Sequence, residues 1–324
     1  MDRWSSRVNS GSRRRQGLPL TKSAAVHIAD PMNYWEKYYI AKDVGDALQA
    51  LANSPGSVKI IAGGTDLLLD MRQGRHPPVH TLIDVTRIPE MMSLSIRNRE
   101  LFIGASVTHK QIVESTHTLE HAQALVEACG LIGGPQVRNS ATLGGNVAHA
   151  LPAADGTIAL MALDASAEVA DYRGRRRVPL KELFSGPGKS TLRSNKEILV
   201  GFYLPLRTRG QASAFLRVMK PQGVAIAILN SCVWIEREGD SIKDLRIVLG
   251  PSGPVPMRMY GAEECLRGKL YEELTIKNAI HALLDDARFR TSKHRATEGY
   301  RRHLAGVLFR DTLEIVWSRA EPDV

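Results

Sequence analysis

The sequence predicts an α+β protein built as two units, the first divided into two lobes. Three observations lead there. Short β-branched runs and helix-period segments share the first two thirds of the chain. Two glycine-rich turns, Ala62-Gly63-Gly64-Thr65-Asp66 and Thr142-Leu143-Gly144-Gly145-Asn146, each follow apolar or β-forming residues. From about Gly210 the texture changes to three successive strands and then helices.

Order is expected to begin near Tyr34. Asp43 is placed to cap a helix through about Asn53, with Val44, Ala47, Leu48 and Leu51 at helical spacing. Residues 58–62, 81–85 and 101–105 read as strands. Thr108 is positioned to cap the next helix, and residues 117–130 form another, ending on a glycine signal. After the second glycine turn, residues 156–163 read as a buried helix. Residues 165–172 and 176–180 flank an Arg-Gly turn as a hairpin, and 197–205 is a strand. A short polar connection at 207–211 separates the units. Beyond it come strands at 212–218, 224–236 and 242–249 and helices at 261–267, 271–286 and 297–318. The resulting division is a tail at 1–31, a first unit at 32–208 with lobes 32–86 and 87–208, and a C-terminal unit at 209–324.

The 324 residues are 43% hydrophobic and 24% charged, an ordinary globular mixture. No apolar run approaches the roughly 20 residues of a membrane helix. Three separated cysteines, Cys129, Cys232 and Cys265, form no CxxC. They disfavour a disulfide framework, a zinc site or an iron–sulfur cluster held by this chain, and they agree with a reducing, cytoplasmic setting. Part of the +9 net charge lies in the tail around Arg13-Arg14-Arg15, which reads as disordered. Three other readings attach to this tail. A twin-arginine signal lacks its apolar core here, and a nucleic-acid arm lacks aromatic interleaving. A start at Met32 would make the tail a gene-calling artefact. The C-terminal basic stretch (Arg288, Arg290, Lys293, Arg295, Arg301, Arg302) suits either a solvated helix face or an acidic partner. Leu304, Val307, Leu308, Leu313 and Val316 follow as core at helical spacing.

The two turns carry the chemistry. Successive glycines remove two Cβ atoms, so backbone amides can converge on an anion. Thr65 and Thr142 add hydroxyls and Asn146 an amide, a donor set suited to a diphosphate. Neither turn is a Walker loop or a GxGxxG opening a helix. Asp155 is either an acceptor for cofactor hydroxyls or the N-cap of the following helix. His149 reads as structural rather than as an acid or base. Arg138 reads as a clamp on a neighbouring carboxylate rather than a phosphate ligand.

Ile61-Ala-Gly-Gly-Thr-Asp-Leu-Leu-Leu69 and Gly133-Gly-Pro-Gln-Val-Arg-Asn-Ser-Ala-Thr-Leu-Gly-Gly-Asn-Val147 resemble the FAD-binding medium subunit of the molybdenum hydroxylases. That group includes xanthine dehydrogenase, carbon monoxide dehydrogenase and aromatic hydroxylases. Later landmarks follow in the same order: Leu180-Lys-Glu-Leu-Phe-Ser-Gly-Pro-Gly-Lys189, Glu197-Ile-Leu-Val-Gly-Phe-Tyr-Leu-Pro205 and Leu245-Arg-Ile-Val-Leu-Gly-Pro-Ser-Gly-Pro-Val-Pro-Met-Arg258. The resemblance runs from about Met32 to the C-terminus. It implies a two-lobed flavin fold of the vanillyl-oxidase (PCMH) type, followed by a small α+β domain of three strands plus helices.

By matched position, Ile61, Ala62, Gly63, Gly64, Thr65, Asp66 and Leu67 would wrap one side of the FAD pyrophosphate. Thr142, Leu143, Gly144, Gly145 and Asn146 would wrap the other. Asp155 would bind ribityl or ribose hydroxyls, and Ile132 and Val200 would border the adenine. Lys220, within 217–223, would approach the isoalloxazine. Ser140 stands where the family often has glycine, and Leu151 where serine often precedes Pro152. The absence of histidine in the first turn implies non-covalent FAD. The inserted cysteine cluster of some aromatic-acyl-CoA reductases is absent.

The resemblance further implies a large subunit carrying molybdenum cofactor and a small subunit with two 2Fe–2S clusters, arranged as a dimer of heterotrimers. It implies no nucleic acid, no membrane span, and no catalytic residue or metal ligand on this chain. A self-contained flavin oxidase of the same fold, and a scaffold that has lost FAD, are the competing readings.

Overall fold

The computed structural model describes residues 33–220 and 226–320. The N-terminal tail, residues 221–223 of the segment matched to the isoalloxazine, and the first residues of the strand expected from 224 lie outside the described residues.

The chain first builds a three-stranded parallel sheet. Strand β1 (Trp35–Ile40) leads to helix α1 (Val44–Asn53), where the Asp43 carboxylate accepts from the Asp46 amide at 2.8 Å. Val44, Ala47 and Leu51 bury one stripe of α1. β2 (Val58–Ile61) runs into the first glycine turn and helix α2 (Leu67–Arg72), and β3 (Val79–Asp84) returns between β1 and β2.

A five-stranded antiparallel sheet follows. β4 (Leu94–Arg97) and β5 (Glu100–Gly104) are joined by Asn98 and Arg99, both at positive φ (49° and 65°). Two such residues make the tight hairpin turn whose twist matches its strands. From β5 the chain makes six helices: α3 (His109–Glu114), α4 (Thr116–His121), α5 (Gln123–Gly130), α6 (Pro135–Ser140), α7 (Leu143–Ala148) and α8 (Asp155–Ala162). Thr108 caps α3 in a full capping box with Gln111. The single helix expected over 117–130 is two, broken at Ala122. Gly130 stays inside α5, and the positive φ falls instead at Gly133 (52°).

Hairpin β6 (Ser166–Asp171) and β7 (Gly174–Pro179) gives the sheet its edge. Arg175, Arg176 and Arg177 on β7 pair with Glu90, Glu197 and Glu100 at 2.7, 3.0 and 2.7 Å. This charged edge resists strand addition. A small hairpin, β8 (Phe184–Gly186) and β9 (Lys189–Ser190), precedes β10 (Ile198–Pro205). β10 is the central strand of the order β4-β5-β10-β6-β7.

The last third is an antiparallel sheet of β11 (Gln211–Met219), β12 (Ala227–Glu238) and β13 (Ser241–Gly250). The expected three strands are extended by short β14 (Met257–Arg258) and β15 (Lys269–Leu270), both paired to β13. Helices α9 (Tyr260–Leu266), α10 (Glu273–Asp286) and α11 (Glu298–Arg319) complete the fold.

The period-two pattern of this sheet explains its place. Ala214, Val233 and Ile247 face Leu308, Phe309 and Leu313 of α11 in one core. Phe215, Cys232 and Val248 face the other way, into the core shared with α5 and α8. Both faces are buried, which is why β12 reads as a nearly continuous apolar run. One expectation fails: Val307 is 44% exposed, because the burying face of α11 runs through Leu304, Leu308 and Val316. No described helix is long and apolar enough to cross a membrane.

Candidate cofactor site

Both glycine turns open short helices, and the structure brings them together. The first leaves β2 and enters α2. A Cβ on Gly63 would overlap the Ser140 carbonyl and stand 2.7 Å from Ala141 Cα, so the chain just before Thr142 lies directly on Gly63. Gly64 has φ of 67°, where L-residues are strained. Asp66, at the N-cap of α2, makes no side-chain capping bond. Among the described residues nothing accepts from the amides of residues 63–66, whereas the Gly64 carbonyl is bound by the Leu68 amide at 3.0 Å. Four consecutive N–H groups are therefore available to a ligand.

The second turn is different, and here the sequence expectation is corrected. Its amides do not form a free cup. Leu143 donates to the Val107 carbonyl (3.0 Å), Gly144 to Ala105 (2.9 Å) and Asn146 to Thr142 (3.0 Å). Gly145 donates to Thr142 Oγ1 at 3.1 Å, so the Thr142 oxygen acts as the N-cap of α7. Gly144 is required by close packing: a Cβ there would lie 2.6 Å from Ala105 Cβ. Asn146 Oδ1 accepts from Thr157 N (3.0 Å) and Oγ1 (3.1 Å), which turns its Nδ2 toward other acceptors. The second turn is a stitched platform. Its uncommitted groups are exposed Gly145 and half-buried Asn146 Nδ2.

The remaining expected residues divide. Ile61 is buried, Leu67 packs beside it in a small core, and Leu143 is fully buried, so these three hold the turns by packing. Half-buried Ala62 and Thr65 lie on the first turn itself. Val200 has no exposed surface, and its carbonyl accepts from Ala105 at 2.9 Å. It backs the second turn through Ala105. Ile132 is half-buried at the loop where Arg138 Nη1 donates to the carbonyls of Ile132 (3.2 Å) and Gly133 (2.8 Å). Arg138 is thus a clamp, but on carbonyls and not on a carboxylate. His149 closes α7, its amide donating to Gly145 O at 3.0 Å. Lys220, at the exposed end of β11, donates to the His294 carbonyl at 3.0 Å.

Asp155 is not the N-cap of α8; Ala154 holds that position. Asp155 is 6% exposed, and its carboxylate pairs with Arg217 and accepts from Asn230 Nδ2 at 2.7 Å. Arg217 also donates to the Leu131 carbonyl. Burial pushes the Asp155 carboxyl upward, against the pull of Arg217 and Asn230. The group therefore joins α8 to β11 and β12. Sequence reasoning missed Asn230, which sits inside an apolar strand where only its polarity was a signal.

His109 was missed as well. It is 1% exposed, donates its amide to the Ala141 carbonyl at 3.1 Å and leaves Nδ1 buried without a partner. Burial first, then the charge of Arg138, pushes its pKa down to about 4. Between pH 6.5 and 4 the unfolded chain binds a proton that folded His109 refuses, so stability falls as pH falls through that window and is flat above it. The loss should reach about 3 kcal/mol. Urea midpoints at pH 7 and 4.5 should separate wild type from His109→Gln, with the wild type losing more; parallel profiles would contradict this.

The open amides, the Thr65 hydroxyl and Asn146 Nδ2 form a set of donors that a diphosphate fits. No described cluster of His, Cys, Asp or Glu fits a metal ion.

Comparison with known proteins shows the family. Residues 31–207 match the FAD binding domain in molybdopterin dehydrogenase, and residues 214–316 match the CO dehydrogenase flavoprotein C-terminal domain. The xanthine dehydrogenase FAD-binding subunit of Escherichia coli O157:H7 is 30% identical over 82% of this chain and 91% of its own length. The carbon monoxide dehydrogenase medium chain of Hydrogenophaga pseudoflava is 29% identical over 87% of this chain and 97% of its own. A solved structure of carbon monoxide dehydrogenase from the same organism, lacking the Mo-pyranopterin moiety, superposes with a TM-score of 0.83 at 28% identity. It covers 88% of this chain and 98% of that one. The chain belongs to the FAD-binding medium-subunit family of the molybdenum hydroxylases.

Proposed function

We propose that this chain is the FAD-binding electron-transfer subunit of a molybdenum-containing hydroxylase or dehydrogenase. The observation that carries the reading is the row of four unclaimed amides at residues 63–66, on a turn packed against Ser140 and Ala141 where the chain enters the stitched platform of residues 142–146. FAD, held without a covalent bond, supplies the redox chemistry. The chain's own residues bind and orient it. Residues 63–66 donate to the diphosphate from one side, with the Thr65 hydroxyl beside them. Asn146 Nδ2 donates from the other side, and Gly145 leaves room for the phosphate path. Residues 32–208 form the cofactor-holding part, with FAD between its two lobes, and residues 209–324 pack on it through Phe215, Arg217 and Asn230.

The complex would oxidise substrate on a large subunit with molybdenum cofactor. A small subunit with 2Fe–2S clusters would pass electrons to this chain and on to an external acceptor. The relatives are subunits, which disfavours a self-contained oxidase. A cytoplasmic dimer of heterotrimers is the finer expectation, to be read from the mass of the purified complex.

The purified chain should show the absorption of oxidised flavin, and acid should release FAD and not FMN. A colourless protein that takes up no added FAD would sink the proposal. Gly145→Val should fold yet lose its flavin, because Gly145 is exposed and the nearest atom to its missing Cβ is Thr142 Oγ1 at 3.2 Å. Normal flavin content in this variant would remove the second turn from the site.

A further inference from the structure

Arg301, within the C-terminal basic stretch, does not lie on a solvated face. It stands near the start of α11 with 2% of its surface exposed. Its Nε and Nη1 are buried without a hydrogen-bond partner. Among the described residues no carboxylate forms an ion pair with Arg290, Arg295 or Arg301. A guanidinium keeps its proton throughout the working pH range, so it cannot escape burial by becoming neutral. A buried charge is tolerated when something opposite in charge meets it.

Its neighbours add to the demand. Arg295 is half-buried and Arg290 is exposed. Burial first, then the charges of Arg295 and Arg290, pulls Arg301 below the usual arginine range. Arg295 is lowered in the same way, by burial and then by Arg290. The loop carrying them is ordered. Ser292 donates its amide to Ala296 O (2.9 Å), Arg295 its amide to Ser292 O (3.2 Å), and Glu298 its amide to Thr291 Oγ1 (3.0 Å). Lys220 ties the loop to the end of β11 through His294 O. Three like charges thus lead from the surface to a buried end, on fixed backbone, with no countercharge from the described chain.

We propose that Arg290, Arg295 and Arg301 form a binding site for a phosphate-bearing small molecule, separate from the two glycine turns. Phosphate brings several oxygens and up to two charges, which matches guanidinium forks better than one carboxylate does. The separation follows from the donor sets: the turns offer neutral amides and hydroxyls, whereas this site offers only cations on α11 and the loop before it.

The test is calorimetric titration of the full chain with inorganic pyrophosphate at low ionic strength, both FAD-loaded and FAD-free. One saturable equivalent should bind the FAD-loaded chain, and the FAD-free chain should bind it as well, with a second equivalent at the open glycine turns. Arg290→Gln and Arg295→Gln should each weaken the equivalent common to both states about tenfold, with flavin content unchanged. Arg301→Gln should weaken it further; if that variant does not fold, the two surface variants decide. Absence of saturable binding, or equal affinity in the surface variants, overturns the site. Binding seen only without FAD, or flavin loss in Arg295→Gln, overturns its separateness by assigning the cluster to the cofactor's own diphosphate. The weakening of one equivalent in Arg290→Gln and Arg295→Gln reads the arginine site in either state, so the two proposals fail independently.

Discussion

Gly63→Ala is expected to destabilise the chain by about 3 kcal/mol or more and to empty it of FAD. The added methyl would overlap the Ser140 carbonyl and reach to 2.7 Å from Ala141 Cα, and both neighbours are backbone. Backbone here cannot swing aside. The Ala141 amide is bound to Val137 O at 2.7 Å, and its carbonyl accepts from His109. The strain must therefore part the two turns, which separates the open amides of residues 63–66 from the platform opposite. Gly64→Ala is the control. There a Cβ meets only the movable ends of Ile61 and Leu68 at 3.1 and 3.2 Å, so the penalty is the left-handed backbone at φ 67°, about 1–2 kcal/mol. Denaturant midpoints and flavin absorbance measure both. A Gly63→Ala protein with wild-type stability and full flavin content would show that the turns do not need to touch.

That contrast marks what a sequence can and cannot reveal. The caps at Asp43 and Thr108, the β6–β7 hairpin and the three long C-terminal strands were legible because each signal lies within a few residues of its effect. The glycine turns were legible as turns. Which of their amides are free was not, because the carbonyls that claim the second turn belong to Ala105 and Val107. β1 escaped notice because Trp35-Glu-Lys-Tyr-Tyr-Ile40 lacks alternation and gains its strand character from pairing with distant β3. The β4–β5 hairpin turns on Asn98-Arg99 without a glycine to announce it. Arg301 looked like one more solvated charge in a basic run, and only tertiary packing removes it from water.

Breaking the Asp155–Arg217 pair should have the second large effect. Arg217's side chain is 4% exposed and Asp155's 7%, so each is charged where water cannot compensate. Asp155→Leu leaves the guanidinium facing an apolar group and takes from Asn230 Nδ2 its shorter bond, to Asp155 Oδ1 at 2.7 Å, leaving only the Ala153 carbonyl at 3.3 Å. Removing one partner of such a pair costs about 3–5 kcal/mol. The loss is structural at origin, because the pair ties α8 to β11 and β12, but it should reach the cofactor. α8 also supplies Thr157, whose amide and hydroxyl orient Asn146 at the second turn. Flavin affinity should therefore fall along with stability. Replacing both partners, as Asp155→Leu with Arg217→Met, removes the unpaired charge as well as the attraction. The double variant should be less destabilised than the sum of the two single variants, by a margin of about 1–3 kcal/mol. A four-way cycle of denaturant midpoints provides the comparison. Strict additivity would mean that the two groups do not act as a pair and that Asp155 is held by Asn230 alone. A destabilised double variant that still binds flavin normally would detach α8 from the orientation of Asn146.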